Sequence, residues 1–136
     1  MAEVTVRAVL PYDIRRVWET VTAVERYPVW RSGLSRTEGT GETRFTEHAA
    51  RDLSTDFTTT AWEPCRRWEF DLENKNLRGH WTGLFRETDG GTEVELTESV
   101  TPKNPLLRLI VPVYLRRQQA CFLADLKREL ERGEKA

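Results

Sequence analysis

The chain has 136 residues and a net charge of -1, from 21 basic and 22 acidic side chains. That length suits one domain over residues 1–136 and leaves no room for a second catalytic lobe, and the near-balanced charges, broadly interspersed, argue against a nucleic-acid partner held by counterion release. Five Trp, five Phe and three Tyr spread along the chain argue against disorder.

The first predicted element is a strand. Val4, Val6, Ala8 and Leu10 alternate with Thr5, Arg7 and Val9, a period of two with one apolar face, and Pro11 stops it. Ile14, Val17, Trp18 and Val21 then fall at i, i+3, i+4 and i+7, one face of a helix of roughly three turns. Asp13 is placed to cap its start. The segment from Glu25 to Trp30 contains Pro28 and is too short for a long element, so a single helical turn carrying Tyr27 and Trp30 inward is expected. Core packing is the simplest role for these aromatics.

Six strands are expected next: Leu34–Glu38, Thr43–Ala49, Leu53–Trp62, Arg67–Leu72, Leu77–Arg86 and Thr92–Val100. The links Gly39-Thr40-Gly41, Ala50-Arg51-Asp52, Glu63-Pro64, Glu73 to Asn76 and Asp89-Gly90 separate them. Such short links favour antiparallel hairpins, because a parallel crossover needs about a dozen residues. The first strand makes the total seven. Asp89-Gly90 suggests a type I′ turn with positive φ at both residues. It pairs Thr88 with Gly91, Phe85 with Val94, Gly83 with Leu96 and Trp81 with Glu98, and sets Arg86 against Glu93 on the other face. A loop over Glu73–Asn76 pairs Leu72 with Leu77, Phe70 with Gly79, Trp68 with Trp81 and, on the other face, Asp71 with Arg78. The Trp62–Cys65 turn is compatible with Thr59 opposite Trp68 and Phe57 opposite Phe70. A slip of one residue would send every second Trp and Phe into water. The resulting inner-face rows are Thr43, Thr59, Trp68, Trp81, Glu98 and Phe45, Phe57, Phe70, Gly79, Val100.

The last predicted element is a long helix with Asn104 as N-cap and Pro105 as its first residue, running to about Glu131, with Gly133 placed to end it. Phe122, Leu123, Leu126 and Leu130 make an ordinary inward stripe. Its first half does not: Leu106, Leu107, Leu109, Ile110, Val111, Val113, Tyr114 and Leu115 surround the axis, and Pro112 should kink or loosen it. This surplus is expected to lie against a ligand, against the loops near Tyr27 and Trp30, or against another subunit.

The order of these elements resembles the START/polyketide-cyclase-like (SRPBCC) superfamily over essentially the whole chain. The residues that carry the likeness are Val17-Trp18, Tyr27-Pro28-x-Trp30, Trp62-Glu63-Pro64, Gly91-Thr92-Glu93-Val94 and Leu126-Lys127-x-x-Leu130-Glu131. The resemblance implies an α+β helix-grip fold. A seven-stranded antiparallel sheet would curl around the long C-terminal helix, with two short helices after the first strand. It also implies a cavity between sheet and helix for lipids, sterols, polyketides or other apolar molecules. Fold alone does not fix the function.

Within that frame the expected ligand-binding residues are Thr59, Trp68, Trp81, Glu98, Phe57, Phe70, Tyr114 and Trp30. Indoles, hydroxyls and one carboxylate together suit a mainly apolar ligand with a few polar atoms. Glu98 breaks the apolar inner face, and a carboxylate there must be hydrated, paired or protonated. It is wet at the cavity mouth, holds a structural partner, or meets ligand and moves protons. Glu47 also falls on that face but near a strand end, from which it can reach solvent. Catalytic residues are not readable from the sequence. His48 and His80 fall on the solvated strand face, and no metal site or cofactor is expected. Cys65 lies in a turn without a neighbouring His, and Cys121 is expected near the core. The N-terminus lacks a basic-then-apolar leader and no apolar run reaches the ~20 residues of a membrane span, so a cytoplasmic protein is expected. The leading function is binding or carriage of a small apolar molecule of lipid, polyketide or aromatic type. The alternatives are a cyclase/aromatase-like enzyme, with Glu98 and Tyr114 as acid–base candidates, and an interaction module using the apolar helix start. A homodimer is a possible partner state.

Overall fold

The computed structural model describes residues 2–50 and 53–135. Arg51 and Asp52 of the expected turn lie outside the described residues. Strand β1 (Ala2–Leu10) is followed by α1 (Ile14–Thr22), a 3-10 turn (Val24–Arg26) and α2 (Tyr27–Trp30). Then come β2 (Leu34–Gly39), β3 (Arg44–Ala49), β4 (Leu53–Glu63), β5 (Arg67–Glu73), β6 (Leu77–Thr88) and β7 (Gly91–Pro102), a second 3-10 turn (Pro105–Leu107) and α3 (Val111–Lys135). The strands form one antiparallel sheet in the order β1-β7-β6-β5-β4-β3-β2. The fold is an α+β helix-grip, with α3 against the curled sheet. Period-two apolar residues bury one sheet face, which carries Phe45, Phe57, Trp68, Phe70, Trp81 and Phe85 into the core.

Helix α1 starts where Asp13 accepts from the Arg15 amide at 3.3 Å, and it buries the four apolar residues of its stripe. Helix α3 is pinned from two sides. Gln119, fully buried, donates through Nε2 to the Leu96 carbonyl at 2.9 Å. Arg16 of α1 donates to the Leu130 carbonyl.

The β6–β7 register is the one expected, from Thr88 opposite Gly91 to Trp81 opposite Glu98. Its turn is not type I′: neither Asp89 nor Gly90 has positive φ, and Gly91 takes it instead, at 133°. A Cβ at Gly91 would meet the Leu10 carbonyl oxygen at 2.1 Å, so the position also requires close approach to β1.

Two expected registers are corrected. Between β5 and β6, Phe70 faces Trp81, Leu72 faces Gly79 and Trp68 faces Gly83. The hairpin loop has moved one residue along the chain, so pairing shifts by two and every side chain keeps its face. Asn74 is the cause: its Oδ1 accepts from the Asn76 and Leu77 amides at 2.8 and 3.1 Å, an Asx turn that sets where the chain reverses. Asp71 therefore meets His80, and Arg78 meets Glu73. Between β4 and β5, Thr59 faces Phe70 and Phe57 faces Leu72, and Thr60 is the extra residue of a bulge. The bulge turns Trp62 inward, onto Trp68 and Trp18.

The long helix is also corrected. Asn104 caps only a 3-10 turn, with Oδ1 accepting from the Leu106 amide at 3.0 Å. Arg108 to Ile110 break the path, and α3 begins at Val111. Pro112 thus sits in the first turn of a helix, where its missing N–H costs nothing, rather than inside one. Gly133 does not end α3, which continues to Lys135. Cys121 is exposed, not near the core.

Candidate functional site

A cavity of about 170 Å³ lies between the inner sheet face, α3 and the loop after α2. One part of its wall is apolar: Phe57, Trp68, Phe70, Leu72, Trp81 and Phe122. The other carries Arg31, Glu47, Glu98 and Tyr114. Sheet curvature and strand alternation supply the aromatic wall, in which Phe70 and Trp81 stack with centroids 4.8 Å apart. Gly83 makes room for that stack: a Cβ there would lie 2.4 Å from the Trp81 ring.

The polar part is organised around Arg31, which leaves α2 in extended conformation. Its Nη1 donates to Glu47 Oε2 at 2.8 Å, and both side chains are almost fully enclosed. The guanidinium also lies over the rings of Tyr27 and Phe122, 4.9 and 5.0 Å from their centroids. The loop that presents it is tied to α3, because Asp125 accepts from the Ser32 amide at 2.8 Å and the Ser32 hydroxyl at 3.2 Å. Arg31 therefore has a fixed position before any ligand arrives.

Burial works against the Arg31 charge, but Glu47, by its charge and its hydrogen bond, outweighs it and holds the guanidinium ionised. Glu98 is different. Burial pushes its carboxyl up to about 7, against the opposing pull of Arg31 and with a further push from Glu47. No hydrogen bond to its carboxyl group occurs among the described residues. Burial, then Glu98 and Glu47, also raises the Tyr114 phenol, so it stays protonated as a donor. Near neutrality the site thus offers a charged cation already paired, a phenol, and a carboxyl that can either donate or accept.

Of the residues expected to meet ligand, Phe57, Trp68, Phe70, Trp81, Glu98 and Tyr114 line the cavity. Thr59 and Trp30 are not among its lining residues. Thr59 donates to the Gly41 carbonyl at 2.5 Å and accepts from the Trp68 indole at 3.1 Å. Trp30 packs edge-on against Tyr27 and Phe122. Glu47 does not escape to solvent, because Arg31 holds it inside. Sequence patterning missed Arg31, Gln119 and Asp125. The available signal was two carboxylates on an apolar face, which call for a cation nearby.

Both histidines lie on the outer face. His80 is held between Glu69 and Asp71, each at 2.7 Å, and His48 contacts the Ser54 hydroxyl at 3.0 Å. Among the described residues, no group of three or more His, Cys, Asp or Glu is arranged to hold a metal ion. No helix among them is long and apolar enough to cross a membrane.

A curled sheet gripping one helix over an internal cavity defines the START/polyketide-cyclase-like class. The profile of the family described as polyketide cyclase/dehydrase and lipid transport matches residues 1–131, and the chain belongs to that family. Protein MLL2253 from Mesorhizobium loti superposes with a TM-score of 0.81 at 19% identity, covering 96% of this chain and 97% of that one. A START superfamily protein from Mycobacterium smegmatis gives 0.81 at 12% identity, covering 97% and 99%. DynU16, from the dynemicin biosynthetic locus, gives 0.76 at 18% identity over 98% of this chain and 48% of its own. These likenesses establish the fold. No curated protein matches the chain in sequence.

Proposed function

We propose that this protein binds a small, mainly aromatic molecule in the sheet–helix cavity, with a polar group of the ligand directed at Glu98 and Tyr114. The observation that carries the reading is Glu98, a half-buried carboxyl group on the cavity wall without a hydrogen-bond partner among the described residues, beside a stacked aromatic wall. Such a group is costly unless something completes it. Size narrows the ligand. A cavity of roughly 150 Å³ accommodates benzene, so about 170 Å³ suits a single substituted ring. A long-chain lipid would need part of the cavity wall to move aside.

Native mass spectrometry of freshly purified protein tests this. The expected spectrum shows an adduct that leaves on denaturation and has the mass of a small ring compound. A bare chain, combined with no saturable change in tryptophan fluorescence on adding p-cresol, would overturn the reading.

A second reading has its own support. A carboxyl group poised at about 7 beside a phenol and a fixed guanidinium suits proton transfer at neutral pH, in keeping with the cyclase and dehydrase activities in the family description. In that case Glu98→Gln still binds the co-purified molecule but no longer converts it. Equal conversion by the two proteins would dismiss Glu98 as the acid–base group.

A further inference from the structure

The apolar surplus before and at the start of α3 is not covered by the rest of the chain. Leu106, Leu109, Ile110 and Val113 are 82%, 89%, 59% and 56% exposed. They run along the 3-10 turn and the first turn of α3, beside Tyr114, which lines the cavity. Scattered exposed leucines need no explanation, but a contiguous run marks a contact surface.

Charge decides what covers it. Acidic and basic residues alternate over most of the chain, yet between Glu98 and Asp125 there are four basic residues and no acidic one. Lys103 is paired with Glu73 at 2.8 Å. Arg108, Arg116 and Arg117 are exposed and, among the described residues, join no ion pair. Arg117 follows Val113 by one helical turn on the same face. A two-fold contact of this surface with a second copy would set three unpaired arginines against three more, which opposes association. An anionic lipid surface has the complementary charge, and its acyl boundary accepts Leu, Ile and Val side chains.

We propose that the surface from Leu106 to Arg117 docks the protein on anionic membranes, with Leu106, Leu109, Ile110 and Val113 inserted and the three arginines at headgroup level. The inference stands whatever the cavity holds. Its consequence is that the Tyr114 side of the cavity faces the bilayer, which gives an apolar molecule a route that avoids water.

Vesicle flotation tests it with the intact chain. Phosphatidylcholine vesicles containing phosphatidylglycerol should carry the protein upward at low salt, and phosphatidylcholine alone should not. Raising salt should release it. Each of Arg108→Gln, Arg116→Gln and Arg117→Gln should lower the partition coefficient about fivefold, and Leu109→Ser about tenfold or more. All four positions are exposed, so near-UV circular dichroism should match wild type. The proposal is overturned if the protein does not float with anionic vesicles. It is equally overturned if flotation ignores charge, salt and these substitutions, or if sedimentation velocity finds a dimer that Leu109→Ser dissolves.

Discussion

Arg31 donates to Glu47 at 2.8 Å inside the cavity wall, with both side chains enclosed. A buried pair of this kind contributes little net stability while intact, but removing one partner leaves an uncompensated charge. Arg31→Met should therefore cost about 3–5 kcal/mol. The double change Arg31→Met with Glu47→Leu should recover much of that loss, because nothing charged remains to be paired. Urea denaturation of the four proteins in the cycle measures this, and simple additivity would show that the two residues do not act as a pair.

Glu98 makes stability depend on pH in a direction opposite to most carboxylates. Its carboxyl sits at about 7 in the folded chain against an ordinary 4.5. Between those values the folded chain keeps a proton that the unfolded chain releases, so stability falls as pH rises and levels off above about 7. Glu98→Gln should be more stable than wild type at pH 8 by about 1–3 kcal/mol and nearly equal at pH 4.5. The charge on His80, supported by Asp71 and Glu69 against partial burial, adds stability that is likewise lost at rising pH. It is common to both proteins and cancels in the difference. Parallel pH profiles for the two proteins would contradict the assignment.

Trp81 stacks on Phe70 and lies over Gly83, yet one side faces the cavity. Truncation to Ala should cost about 3 kcal/mol, the lower end for a buried Trp, because part of the ring has no packed neighbour to lose. Chemical denaturation gives the number. A loss near 5 kcal/mol would mean that the ring is packed on all sides.

The amides of Leu106 to Ile110 should exchange with solvent at least about 100-fold faster than those of Phe122 to Leu126. The first group is held by single turns on an exposed surface, such as Arg108 to the Pro105 carbonyl at 3.2 Å. The second lies in mid-helix under the sheet. Equal protection would show that the segment is a fixed part of the α3 packing.

The strands, their faces and the short helices were legible because apolar periodicity of two and of 3.6 is written directly in residue order. Register was legible only where loop length left one choice, as at Asp89-Gly90. Side-chain turn chemistry at Asn74 moved pairing without disturbing the apolar pattern, so the pattern carried no warning there, whereas the bulge at Thr60 left one sign, Trp62 falling out of step with Phe57 and Thr59. The break at Arg108 to Ile110 was hidden because the apolar run there continues through it. The aromatic half of the cavity could be read as inner-face rows. Of its polar half, Glu98 and Tyr114 could also be read, but Arg31 could not, because it belongs to no periodic stripe and reaches Glu47 through a loop positioned by Asp125, far away in sequence.

The proposed ligand, a ring-sized molecule, enters the space beside Trp81 and Glu98. Five indole N–H resonances report on it, one per tryptophan. Only those of Trp68 and Trp81 belong to residues lining the cavity. In a titration with p-cresol followed by nitrogen–proton correlation spectra, saturable shifts are expected at these two indoles and none at Trp18 or Trp62. Saturable binding that shifts Trp18 or Trp62 and leaves Trp81 unmoved, or no saturable shift at any indole, would contradict this placement.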